Sequence, residues 1–171
     1  LDFVNSNFSG RKKVQYSGRP VLSFISYSKR NEDMSMKICL DAGHFGKYNK
    51  SPADARYYES KAMWDLHLKQ KQYLEAYGIQ VVTTRASQEA DRKLYDRGAA
   101  AAGCDLFISD HSNAVGTSVN NAVDYPAAYC AINGSADGIG MALAQCVEVV
   151  MGTRQEARIE HRRGDRGDYY G

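Results

Sequence analysis

The sequence lacks several things that would settle its class at once. No apolar run approaches the roughly 20 residues that a membrane helix needs. No Cys-x-x-Cys pair is present. Cys39, Cys104, Cys130 and Cys146 stand 65, 26 and 16 residues apart, which excludes a thiolate zinc knuckle and a dithiol redox motif. Such thiols are expected to be small buried hydrophobes of a chain made in a reducing compartment. A dominant charge is missing as well. The 22 Lys and Arg against 20 Asp and Glu give no field for nucleic acid, and no internal repeat is visible. What is there is ordinary globular material. At 171 residues, 43% hydrophobic and 25% charged, the chain can bury one domain's core and is not wholly disordered.

The charge is unevenly placed. Residues 1–36 carry six Lys/Arg against three Asp/Glu, and residues 37–171 carry sixteen against seventeen. The leading 36 residues are irregular and rich in Ser, Asn, Gly and Arg. Their one apolar run, Val21 to Tyr27, is broken by two serines, and a secretory cleavage pattern is not evident. This segment is expected to be poorly ordered and to contribute little to the core. Met34 and Met36 stand directly before the first strand as candidate starts, which would make the residues upstream an artefact.

From Lys37 the pattern is regular. It predicts strands over 37–41, 79–84, 105–109 and 127–132, and helices over 58–76, 88–102 and 136–151. Met63, Leu66, Tyr73 and Tyr77, with Gln70 on the same line, mark the buried side of the first helix. Gly78 and Gly103 are helix stops, and Ser135 is the expected N-cap of the last helix. The tail from Gly152 reads as charged, Gly-rich and irregular. Strands alternating with helices predict an α/β fold with a twisted, mostly parallel sheet and helices on both faces.

In such sheets, ligands gather at the carboxyl ends of the strands. Two strands end alike there, Ile-Cys-Leu-Asp-Ala-Gly-His44 and Leu-Phe-Ile-Ser-Asp-His111. Glu59 opens the first helix, whose N-terminus faces the same edge. Two imidazoles and a carboxylate, with a fourth position open, is the composition of a catalytic zinc site. The bland alternative is a pair of loop histidines satisfied by backbone. His67 is expected on a packed or exposed flank of its helix, and His161 in solvent.

The same residues resemble a known family. Leu-Asp-Ala-Gly-His-Phe-Gly (40–46) is similar to the first signature of the zinc-dependent N-acetylmuramoyl-L-alanine amidases of the third amidase family. Tyr58-Glu59-Ser60 before a long helix is similar to the second. Residues 74–85, Leu94 with Arg97, and 101–109 follow the family's order, and Asp110-His111-Ser112-Asn113-Ala114 completes it. The resemblance covers residues 37–171. It implies zinc held by His44, Glu59 and His111, and peptidoglycan as substrate, cut between N-acetylmuramic acid and L-alanine. Asp41 and Asn113 are the candidates to hold those ligands in place, with a plain strand-end cap as the equal alternative for Asp41.

Two departures stand out. Phe45 replaces a commonly small residue. Asp110 replaces an apolar one and is expected to point to solvent. The family's second, catalytic glutamate lies on a strand for which no counterpart is found before Gly171. The expectation is a domain incomplete at its C-terminus, with no catalytic carboxylate inside the chain and Glu160 a surface charge. Made in the cytoplasm and acting at the cell wall after release, such a chain fits an endolysin or wall-lytic enzyme. The competing expectations are a non-catalytic peptidoglycan-binding remnant and a different metallohydrolase such as a peptidase.

Overall fold

The computed structural model describes residues 36–112, 116–165 and 167–168. The expectations for the leading segment, Asn113 and the last three residues lie outside these.

Strand β1 (Lys37–Ala42) is the centre of a three-stranded parallel sheet. Ile38, Cys39, Leu40 and Ala42 are all buried, as in a strand covered on both faces. Its neighbours are β2 (Gln80–Thr83), with Ile38 opposite Val81, and β3 (Leu106–Asp110), with Leu40 opposite Ile108. Helix α1 (Glu59–Ala76) connects β1 to β2 and packs on both. It stops at Gly78, whose φ of 79° lets the Gly78 and Ile79 N–H groups turn back to the Glu75 and Leu74 carbonyls. Helix α2 (Leu94–Ala100) leads to β3.

The second half pairs β4 (Ala127–Tyr129) parallel to β5 (Arg158–Glu160), with α3 (Asp137–Met151) packed on both. A short antiparallel pair follows, β6 (Arg163–Gly164) with β7 (Gly167–Asp168). This is an α/β fold whose parallel strands fall in two sheets, of three and two strands. No helix among the described residues is long and apolar enough to cross a membrane.

Several expectations need correction. Helix α2 does not begin at Gln88. The Gln88 carbonyl accepts from Gly46 N–H and from the Arg85 guanidinium, and Arg97 Nε bonds the Arg92 carbonyl, so this backbone belongs to a loop. The fourth strand stops at Tyr129, because beyond Cys130 the backbone turns away and Ile132 N–H bonds the Asp168 carboxylate. Ser135 does not cap α3; its N–H bonds the Asn133 side chain in a local turn, and Ala136 occupies the cap position. The tail is not irregular, since β5 pairs with β4. Cys39 is buried, and burial pushes its thiol up to about 11. Cys146, in contrast, is exposed. It stands two residues, or about 200°, beyond Ala144 on the buried side of α3.

Candidate metal centre

Glu59 is the hub of the site. As the first residue of α1 it is only 5% exposed, and its carboxylate meets groups from two other elements. Oε1 accepts from the Ser112 N–H at 2.7 Å and from His111 Nδ1 at 3.1 Å. Oε2 accepts from Asn49 Nδ2 at 3.0 Å and lies 3.4 Å from His44 Nε2. Burial alone raises the Glu59 pKa. The hydrogen bonds from His111, Asn49 and Ser112, with the nearby His44, outweigh that and hold the carboxyl below its usual range. Burial also lowers the His44 pKa; the Glu59 carboxylate opposes this, and the charges of Arg97 and Arg85 add to the lowering.

The two histidines arrive from adjacent parallel strands. His44 follows β1 with φ of 58°, and His111 follows β3 directly. Their ring centroids are 4.9 Å apart and their planes nearly perpendicular. Gly43 makes the approach possible. Its N–H bonds the Asp110 carbonyl at 2.9 Å, and a Cβ there would stand 2.6 Å from that oxygen and from His111 Cε1. One donor atom from each of His44, Glu59 and His111 can be chosen so that all lie within 4.8 Å of one another. Donors on a common tetrahedral zinc, each about 2.1 Å from it, stand roughly 3.4 Å apart. The His44–Glu59 distance already has that value, and small side-chain turns close the rest. Two imidazole nitrogens and one carboxylate suit zinc, so the residues fit the ion.

Beneath the histidines lies a buried ionic network. Asp41 accepts from Thr84 Oγ1, Ser109 Oγ at 2.7 Å and Arg97 Nη1 at 3.1 Å. It touches neither imidazole. Arg97 donates onward to the Ala42 and His44 carbonyls at 3.1 and 3.2 Å, and Arg85 to the Ala42 carbonyl at 2.9 Å. Asp41 therefore acts on the site through Arg97 and the backbone that carries His44.

The structure also corrects the reading of Asp110 and gives His67 and His161 their partners. Asp110 does not point to solvent. It faces α1, where Gln70 Nε2 donates to its Oδ1 at 3.3 Å, and burial raises its pKa. His67 is 2% exposed with Nδ1 donating to the Trp64 carbonyl, a core residue. His161 pairs with Asp137 at 2.9 Å.

The donors open into a cleft of about 890 Å³, lined by the loop from Asn49 to Tyr57 and by Ser112, Gly116 and Thr117. Tyr57 reaches across it to bond Ser112 Oγ at 2.7 Å. Asn49, Tyr57 and the Ser112 N–H carried no sequence signal, because a loop has no period that orients its side chains. Gly43 stands in the quoted Leu-Asp-Ala-Gly-His run, where the need for a residue without a Cβ shows only in the structure.

No curated protein matches this chain. Among solved structures it is similar to the catalytic domain of CwlV, an N-acetylmuramoyl-L-alanine amidase from Bacillus (Paenibacillus) polymyxa var. colistinus. That match has 21% identity over 73% of this chain and 70% of that one, with a TM-score of 0.61. AmiC2 of Nostoc punctiforme, an N-acetylmuramoyl-L-alanine amidase, gives 21% identity, 73% and 69% coverage, and a TM-score of 0.60. Cwp6 from Clostridium difficile gives 25% identity and a TM-score of 0.62 over 80% of this chain, which spans about a fifth of Cwp6 (22%). These likenesses show the shared fold. Residues 38–156 match the N-acetylmuramoyl-L-alanine amidase family. That match takes in well over half of the sequence and both histidines and the glutamate of the cleft, and by it the chain belongs to the N-acetylmuramoyl-L-alanine amidase family.

Proposed function

We propose that this chain binds peptidoglycan and hydrolyses the amide between N-acetylmuramic acid and L-alanine, using zinc held by His44, Glu59 and His111. The observation that carries the reading is the convergence of those three side chains at the mouth of one cleft, in a chain of the amidase family. When bound, zinc lowers the pKa of water toward about 7 and polarises a carbonyl. The chain's own residues do the rest. Glu59 and the imidazoles of His44 and His111 supply the donors. The Ser112 N–H and the Asn49 amide keep the Glu59 carboxylate ionised and aimed. Arg97 fixes the backbone of His44. The cleft is large enough for a disaccharide with the start of its peptide, and its substrate places the work at the cell wall.

A second reading, a peptidoglycan-binding domain without turnover, has one observation in its favour. Among the described residues lining the cleft, the carboxylates are Glu59 and Asp54. Asp54 is already bonded to Arg56 through both of its oxygens. Digestion of purified cell walls with the zinc-loaded chain separates the readings. New L-alanine amino termini support the amidase. New termini elsewhere in the peptide mean a peptidase. Wall binding with no new termini, at any enzyme concentration, means the non-catalytic domain.

A further inference from the structure

Three contacts converge on Asn49, which belongs to none of the residues so far given the metal. Its Nδ2 lies 2.8 Å from His44 Nε2 and 3.0 Å from Glu59 Oε2. A carboxylate oxygen has no hydrogen to offer, so the amide nitrogen, not its oxygen, faces inward. The Asn49 carbonyl accepts the Glu59 N–H at 3.0 Å. That N–H belongs to the first turn of α1, where backbone donors have no partner within the helix and where the cap residue Tyr58 supplies no side-chain bond. Asn49 also has φ of 52°, in the left-handed region that asparagine tolerates better than most residues. This backbone geometry brings both ends of one residue onto Glu59.

We propose that Asn49 is a positioning residue of the cation site, clamping Glu59 from two sides and holding the His44 lone pair until an ion takes it. The inference rests on the reading that His44, Glu59 and His111 bind a divalent cation. His44 Nε2 cannot serve both the Asn49 amide and an ion, so that bond is exchanged on loading. The bond to Glu59 Oε2 is kept. Glu59 is then held by the Ser112 N–H on one oxygen and by Asn49 on the other. Hydrogen-bond partners of a ligating carboxylate commonly contribute 10–100-fold to metal affinity.

The test uses the full chain, with zinc affinity measured by chelator competition and the visible spectrum recorded after cobalt loading. Asn49→Gly removes the amide but keeps the carbonyl and accepts φ of 52°. Asn49→Asp keeps the shape and replaces the donor by an acceptor facing Glu59. Both are expected to weaken zinc binding about 10- to 100-fold and to alter the cobalt bands because Glu59 is released to bind differently; the metal-free midpoint should hold in Asn49→Gly to within a few degrees and fall in Asn49→Asp, where two carboxylates face each other. Wild-type affinity in Asn49→Gly overturns the proposal. So does weaker affinity with unchanged cobalt bands and a lowered midpoint, which would make Asn49 a loop-stabilising residue only. If the wild-type chain binds no zinc, and His44→Ala is indistinguishable from it, the metal reading falls and this proposal with it. Failure of the Asn49 role alone leaves wild-type binding intact.

Discussion

Asp41 and Arg97 are 3% and 7% exposed, and an ion pair so placed tolerates loss of one partner poorly. Arg97→Met removes the guanidinium and leaves the carboxylate buried against the Thr84 and Ser109 hydroxyls. It is expected to destabilise the fold by about 3–5 kcal/mol, measured by urea unfolding. It also unties the Ala42 and His44 carbonyls, so zinc affinity falls too. Replacing Asp41 and Arg97 together by apolar residues is expected to cost less in stability than Arg97→Met alone. Asp110 makes the opposite case. Its Oδ2 and Gln70 Oε1 are both buried with no partner among the described residues, while the other halves of the two side chains are bonded to each other. An amide at 110 supplies the missing donor and makes the contact two-way. Asp110→Asn is therefore expected to stabilise the protein by about 1–3 kcal/mol at pH 7, seen as a raised unfolding midpoint. A lowered midpoint means that the carboxylate is held by a group other than Gln70.

On helix α1 the buried side runs through Glu59, Ser60, Met63 and His67, not along Met63, Leu66, Tyr73 and Tyr77. Leu66 is 40% exposed and Tyr73 69%. The period was legible but its phase was not, because the buried side holds polar residues, among them a histidine whose Nδ1–H is spent on the Trp64 carbonyl of its own helix. Burial holds the His67 pKa below its usual value, with Arg85 and Lys71 contributing after it. For a base with a depressed pKa, the unfolded chain binds the proton first. The stability is complete above the unfolded value of about 6.5 and is lost as the pH falls through the folded one. Urea midpoints of wild type and His67→Leu between pH 7.5 and 5 check this; the variant's curve is expected to be flatter. Helix α3 shows the same limit. Its buried residues are Gly140 and Ala144, and a Cβ on Gly140 would stand 2.5 Å from Cys130 Sγ. Close backbone approach chose the small residues, and an apolar count points to the wrong side. By contrast β1, β3 and both histidines were legible, because each strand opens on a short apolar run, buried on both faces in β1 and alternating in β3, and the polar residue after it marks its end. β5 was not, since Arg158-Ile159-Glu160 is three residues with one apolar side chain, paired only because β4 lies beside it.

Across the molecule, parallel pairing puts the ends of β1 and β3 and the start of α1 at one edge, and the cleft with its donors lies there. Two features of the whole remain to be joined. Ile139, Leu143, Val147 and Val150 form an exposed apolar stripe on α3, at spacings of four and three. The described lining of the cleft also offers no carboxylate besides Glu59 and the Arg56-bonded Asp54. A strand ending in glutamate, laid beside α3 and reaching the cleft, would answer both. The 171-residue chain is accordingly expected to bind zinc, to associate as its concentration rises, and to cut cell walls slowly. A terminal strand of that pattern, grafted after Gly171, is expected to raise the rate by about 10²–10⁴, the usual contribution of a positioned acid or base. Sedimentation of the grafted chain is expected to show less association, since the strand would cover part of the stripe. A variant with Leu143→Lys and Val147→Glu separates the effects, losing association without gaining rate. If the graft adds no rate and Glu160→Gln abolishes the activity of the short chain, the carboxylate is Glu160 at the end of β5.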